Sequence, residues 1–240
     1  MSRLVWDEVG KHIYENGVRQ GVLFVQNDDG TYRKGVAWNG LTAVTESPSG
    51  AETTALYADD IKYLNMLSAE EFGATIEAYT YPDEFMECDG SGELADGVHI
   101  GQQARRAFAF CYRTVVGNES AGENFGHKLH IIYGAMASPS EKAYQTINDS
   151  PEAITFSWEI STTPVSASAD APAAFKKFKP TASIVLDSTK MTTAQLAYLT
   201  AVENSLYGTD GTTDPEVPGT DPTLLLPEDI YEIFNPSSAG

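Results

Sequence analysis

Residues 57–90 read YADDIKYLNMLSAEEFGATIEAYTYPDEFMECDG, and this stretch decides the fold class. Aromatic and aliphatic residues recur in short runs bounded by turn formers, a pattern of strands rather than long helices. The surroundings are strongly acidic. Between Glu46 and Asp96 there are 13 acidic residues and one basic residue, Lys62. No catalytic or metal-binding set stands out in the stretch. Its composition suits a β surface that presents charge of one sign.

The strand pattern continues on both sides. Gly21 to Val25 is an apolar run, Asn27-Asp28-Asp29-Gly30 supplies a turn, and Thr31 to Trp38 returns as the second arm of a hairpin. Asn39-Gly40 marks another turn before the strand-like Leu41 to Thr45, which Ser47-Pro48-Ser49-Gly50 ends. Thr54 to Tyr63 and Thr75 to Tyr81 are further strand candidates. Between them, Ser68 with Glu70 and Glu71 gives the start signal of a short helix over 68–72. From Ala104 to Val116, Phe108, Phe110 and Tyr112 fall on one face and Ala107, Ala109 and Cys111 on the other. Large groups on one side and small ones on the other imply a strand packed on both faces. Ala153 to Ile160 alternates, with Ile154, Phe156, Trp158 and Ile160 inward and Thr155, Ser157 and Glu159 outward. Leu129 to Ala137 and Ala182 to Asp187 complete the strands.

One helix is expected over Thr189 to Tyr207, where Met191, Leu196, Leu199, Val202 and Leu206 form a stripe and Gly208 lies just past the end. Thr209 to Thr223 reads as a flexible polar loop, and the apolar LLLPEDIYEIF after it calls for a docking surface. The expected organisation is a β-sandwich domain over 1–208 with its flanking helix. An acidic Pro/Gly loop and C-terminal arm follow over 209–240, in the same domain or on a neighbouring subunit. Several strands with one helix suit a sandwich or barrel.

Charge and length restrict function. The 240 residues carry a net charge of −19, and no Lys or Arg follows Lys190 while eight acids do. Nucleic-acid affinity comes mainly from cations that neutralise phosphates, so this chain repels DNA rather than gripping it. No apolar run approaches the roughly 18 residues that would cross a bilayer. The start, MSRLVWDEVGKH, lacks a signal peptide's apolar stretch, so a soluble protein made in the cytoplasm is expected. Cys88 and Cys111 are expected to be reduced and buried.

Candidate chemical sites are weak. His127 and His130 form H-x-x-H, but in an extended segment they face opposite ways, and zinc needs three or four ligands. Asp59-Asp60, Glu70-Glu71 and Asp83-Glu84 are sequence neighbours, whereas paired catalytic carboxylates face one substrate from about 5 to 9 Å apart. TDGTTDPEVPGTD departs from the calcium-loop pattern. No nucleophile elbow, phosphate loop or dinucleotide fingerprint occurs. Lys176, Lys177 and Lys179 flank Phe175 and Phe178, a cluster that suits an edge-strand guard or an intersubunit salt bridge.

Three stretches resemble the major tail tube proteins of bacteriophages with long non-contractile tails that infect Gram-positive hosts. They are GVRQGVLF…GVAWNGLTAVTESPSGAETTALYADDIKYLN, FGATIEAYTYPDEFMECDG and FGHKLHIIYGAMASPSEKAYQTINDSPEAITFSWEISTTPV. With the strand and helix near 182–207, the resemblance covers nearly the whole chain. It implies a mainly β, tail-tube-type sandwich or partial barrel with one flanking helix at about 189–207 and long assembly loops. It implies a structural virion protein, not an enzyme, with no cofactor and no metal. Six copies would close a ring, and stacked rings would form the tube through which DNA is ejected. The partners implied are other copies of the chain, the tape measure, tip and terminator proteins of the tail, and DNA passing without specific binding, with no membrane. Some relatives carry a further immunoglobulin-like domain, which this sequence is expected to lack. Glu77, Asp83, Glu84, Glu87, Asp89, Asp59 and Asp60 are the candidate lumen or assembly residues, and the loop from Ser47 to Ala51 a candidate ring-to-ring contact. The rival reading is an acidic sandwich that recognises carbohydrate, which requires Trp and Tyr clustered on a concave face.

Overall fold

The structure is a computed structural model and describes residues 3–146, 153–213 and 216–236. Antiparallel strands dominate it. In chain order they are β1 (Ile13–Val25), β2 (Val36–Trp38), β3 (Leu41–Glu46), β4 (Ser49–Gly50), β5 (Thr53–Ala58), β6 (Ile61–Leu67), β7 (Glu70–Glu71), β8 (Gly73–Ala78), β9 (Gly92–Ala95), β10 (Val98–Ile100), β11 (Phe108–Asn118), β12 (Gly122–Ala137), β13 (Phe156–Thr162), β14 (Ser183–Asp187), β15 (Thr212–Thr213) and β16 (Glu216–Val217). Three helices accompany them: α1 (Met86–Asp89), α2 (Thr193–Tyr207) and α3 (Pro227–Phe234).

The main sheet runs β2-β1-β11-β12-β13-β8-β3, with β14 also paired to β12. It curls far enough that Leu41, at the start of β3, packs over Gly21 of β1. The curl encloses one core. Leu23, Phe108, Phe110, Ile132, Ile76, Trp158 and Ile160 enter it from five strands, and Trp38 and Phe85 close it. Its aromatic rings meet mostly edge to face, as in Trp38–Trp158 at 5.6 Å between centroids and Phe85–Trp158 at 5.0 Å, the favoured geometry for quadrupolar rings.

A second core lies on the opposite face of β1, β11 and β12. Phe24, Cys111, Ile131 and Tyr133 meet Leu199, Val202 and Leu206 of α2 and Ile230 of α3 there. β11 is therefore buried on both faces, as its alternation of large and small side chains implies. The small residues lie under the helices, where Ala109 and Cys111 let α2 approach closely. Thr192 caps α2 and Gln195 reaches back to the Thr192 amide at 3.0 Å, so the helix proper begins at Thr193. Gly208 ends it.

β12 serves two partners. Lys128–Ile132 pair with β14, and Ala135–Ala137 pair with β13. Between them the register against β11 slips, and Gly134 takes a φ of +56°. A bulge there bends the strand away from one neighbour toward the next.

Five sequence expectations need correction. Residues 68–72 are extended, not helical: Glu70 and Glu71 pair with Gly50 and Ser49. Thr54 to Tyr63 is not one strand, because Asp59 and Asp60 both turn at positive φ and start a hairpin. Ile154 stays outside the core, while Trp158 and Ile160 enter it. The flanking helix is not alone: LLLPEDIYEIF forms α3, with Pro227 at its first position and Asp229 accepting from the Leu226 amide at 2.8 Å. The 209–223 loop also carries structure, since Thr209 bridges to Thr220 and β15 pairs with β16. Among the described residues, no helix is long and apolar enough to cross a membrane.

Candidate functional site

The surface features that stand out are β faces rather than a cleft. The first is the hairpin β5–β6. Every residue from Thr53 to Leu67 except Ala55 is exposed, and among the described residues the two strands pair only with each other. Tyr57, Tyr63 and Leu67 are 71%, 70% and 67% exposed. Leu56 pairs with Leu64 and Thr54 with Met66, so one face of the arm is largely apolar. A bulge between Leu56 and Tyr57 twists its outer half. β4 and β7 pair at its root, which places the Ser47–Ala51 loop at the base of the arm. A free two-stranded ribbon is marginal in water, and solvated apolar side chains do nothing to steady it.

The second feature is the outer face of β3, β8 and β13. Ala74, Ile76 and Ala78 point into the core, so Thr75 and Glu77 point away from it. On β13, Trp158 and Ile160 point in and Ser157, Glu159 and Ser161 point out. Glu77 lies between Ser157 and Ala43, and Thr75 between Glu159 and Thr45. The result is a smooth face of small polar groups bearing two carboxylates.

The acidic candidates divide into three groups. Glu77 lies on this face. Asp59 and Asp60 form the tip of the arm, and Asp83 and Glu84 are exposed at the start of the helical turn before α1. Glu87 and Asp89 instead bind cations of their own chain. Glu87 accepts two bonds from Arg33, at 2.8 and 3.2 Å, and lies 2.8 Å from Nε of Arg106. Asp89 is buried and lies 3.1 Å from Lys142 Nζ. These pairs tie the loops near 27–33, 87 and 106 together. Sequence reading misses them because the arginines lie 54 residues before Glu87 and 19 after it, with no local pattern linking them.

The Arg33 hydrogen bond, working against partial burial, holds the Glu87 carboxyl below the usual carboxylate range, and the field of Arg106 adds to it. A depressed carboxylate stabilises the fold above its unfolded pKa, about 4.3. That contribution disappears as pH falls through the lower folded value. The stability gap between wild type and Glu87→Gln is therefore expected to be full at neutral pH and to close below about pH 4. Thermal melts across that range measure it.

The histidines are structural. His127 Nε2 lies 2.8 Å from Glu203 of α2. His130 stacks on Tyr112 with centroids 4.6 Å apart, and its Nε2 lies 3.2 Å from Thr114 Oγ1. His130 Nδ1 sits 3.3 Å from Glu46 without an aligned hydrogen bond. Thr114, His130 and Glu46 share the order of a nucleophile relay but not its geometry. The Thr114 hydroxyl already donates to Glu15 at 2.5 Å. Tyr112 donates to Glu46 at 2.7 Å, and Lys128 also pairs with Glu15. The group sutures β1, β3, β11 and β12. Among the described residues, no three metal-ligating side chains gather. Trp38 and Trp158 belong to the core, so they offer no platform to a sugar.

Cys88 and Cys111 are free and buried, and burial pushes both thiols up to about 12. Both are expected to stay unreactive toward DTNB near pH 8 while the protein is folded, and to react fully once it unfolds.

No protein-family model matches the chain, and no curated protein matches it.

Proposed function

We propose that the chain is the repeating structural subunit of a phage tail tube. Copies close into rings, six per ring, and the rings stack around a lumen that carries DNA into the host. The observation that carries this reading is the β5–β6 arm: 15 residues of self-paired hairpin whose apolar side chains find no cover among the described residues of their own chain. Such an arm gains its burial only from a neighbour. The free edges of β3 and β14 suit a head-to-tail contact between copies.

The open face of β3, β8 and β13 supports the lumen half of the proposal. Side by side in a ring, such faces make a continuous wall of small polar groups and carboxylates. Its carboxylates repel phosphates, and the residues named on it include no cation to hold them. The subunit then needs no cofactor and performs no catalysis. Its partners are its own copies and the other tail proteins: tape measure, tip and terminator.

Negative-stain electron microscopy of the purified protein at rising concentration tests the reading. Rings or hollow tubes wide enough for duplex DNA are expected, and particles that stay monomeric at every concentration, even with tail-tip protein added, would overturn it. In assembled tails, Glu77→Lys with Glu159→Lys is expected to leave tubes intact and slow DNA ejection. Unchanged ejection would remove these two residues from the lumen wall.

A further inference from the structure

An apolar groove of about 570 Å³ lies between β14 and α3. Phe175, Phe178, Ile184, Tyr231 and Phe234 line it, and Phe178 is 65% exposed. Phe175 and Phe178 stand 5.5 and 6.4 Å from Tyr231, so an aromatic wall is already formed. One side of the groove is β14, whose only partner among the described strands is β12. From Ile184 to Asp187 its other backbone edge has no strand partner among the described residues, while Ser183 is already bonded to Thr181 Oγ1.

The rim is basic in a chain of net charge −19. Lys179 lines the groove, and Lys176 and Lys177 precede it on the same loop. Among the described residues, none of the three pairs with a carboxylate, whereas most other cations do. Two of the three carboxylates of α3 are occupied, Glu228 by the Ser168 amide and Asp229 by the Leu226 amide, while Glu232 is exposed and is not among the groove's lining residues. The groove therefore fits an extended, apolar segment followed by acids.

The chain carries such a segment at its start. Leu4, Val5 and Trp6 are 72%, 66% and 71% exposed, and Asp7 and Glu8 follow directly. In an extended conformation Leu4 and Trp6 share one face. We propose that the segment Leu4–Glu8 of one copy docks in the β14–α3 groove of a second copy, Trp6 against the aromatic wall and Asp7 or Glu8 at the lysine rim.

The segment cannot fill its own groove. It is anchored at Gly10, whose carbonyl accepts from Asn118 Nδ2 at 3.0 Å, at the far end of the β11–β12 hairpin. Asn118 pairs with Gly122, and Ile184 in the groove pairs with Ile131. Nine residues of β12 separate the two points, about 30 Å at strand rise. Leu4 to Gly10 spans about 20 Å when fully extended. Charge complementarity and reach together select a second copy as donor.

This contact rests on self-assembly but not on the tube architecture, and the test separates the two. Asp7→Cys and Lys179→Cys, at the rim, are made as separate full-length variants that keep Trp6 and the aromatic wall in place. The native thiols are buried and stay silent. The variants are mixed and oxidised with copper phenanthroline. The expected result is a disulfide-linked heterodimer that forms on mixing and is absent when Tyr63→Cys replaces Asp7→Cys. Trp6→Ala is expected to weaken self-association about 30-fold, the size of an interface hot spot. Lack of the heterodimer, a link from Tyr63→Cys instead, or an intrachain link in the double variant at high dilution would each overturn the docking. Tubes seen by microscopy without the link sink the docking and leave the tube reading standing. The link without tubes does the reverse.

Discussion

Replacing Tyr57, Tyr63, Met66 and Leu67 together by serine is expected to abolish rings and tubes while leaving the monomer folded. All four lie on β5 or β6, and all are more than half exposed in the single chain. They contribute nothing to either core, so the fold has little to lose. Surface changes of this kind stay within about 0.5 kcal/mol each, and a chain of this size shifts by about 2–4 °C per kcal/mol. Melting should therefore move by only a few degrees. The assembly should change far more. Aromatic and methionine side chains dominate interfaces when they seat in a partner, and losing each commonly costs about 2 kcal/mol or more. Four such losses repeated around a ring leave no assembly at workable concentrations. Sedimentation velocity on the variant gives the answer directly. A variant that still forms tubes would mean that the arm projects away from the contacts, and its apolar surface would need another explanation.

On the proposed tube reading, the arm and the N-terminal segment of free copies have to be kept apart until they meet their contacts. Both expose large apolar groups, a hazard for any β protein with free edges. The acids around them offset it. Asp59 and Asp60 cap the arm and Asp7 and Glu8 follow Trp6, so like charges keep the sticky segments of free copies apart. At the groove the sign changes to lysine. Attraction is thus confined to one place, which favours the ordered contact over random aggregation.

How far the sequence foretells this structure depends on where each decision is made. The Phe-Ala-Phe-Cys-Tyr run of β11 was readable because burial on both faces leaves a local trace, large and small residues alternating. β13 from Phe156 and α2 from Thr193 were readable because their periods are complete within one element, while Ile154 and Met191, which the same patterns included, lie outside them. The region 68–72 misled because Ser68, Glu70 and Glu71 suit a helix start locally, while pairing with Ser49 and Gly50 fixes an extended backbone. Asp59-Asp60 lacked the usual Asn-Gly signature, and two adjacent aspartates at positive φ are uncommon enough to escape notice. α3 has eight residues, too few for a clear period. Among the candidate acids, Glu87 and Asp89 looked as free as Glu77. Only the fold brings Arg33, Arg106 and Lys142 to them, and no sequence pattern encodes a partner that far along the chain.

The largest expected loss of stability from one substitution is at Gly134. Gly134→Val should prevent folding or lower stability by more than about 3 kcal/mol, a large part of the 5–15 kcal/mol that holds a typical domain. Three effects combine there. The backbone sits at a φ of +56°, a region where a β-branched residue is a true outlier. A Cβ at this position collides with the carbonyl oxygen of Thr163, and backbone cannot move aside as a flexible side chain can. The Gly134 carbonyl also accepts from the Thr163 amide at 2.9 Å, so relieving the clash breaks a bond at the joint. That joint is where β12 leaves β14 for β13, and the second half of the sheet, with Trp158 and Ile160, hangs from it. Trp158→Ala, which only empties a core site, is expected to cost about 3–5 kcal/mol with the topology intact. Urea unfolding distinguishes the two. Trp158→Ala should keep a single cooperative transition at lower denaturant. Gly134→Val should give either no transition or a shallower one, as the curled half of the sheet comes loose from the helix-packed half. A Gly134→Val variant with a wild-type midpoint would show that the bend in β12 is not set by glycine.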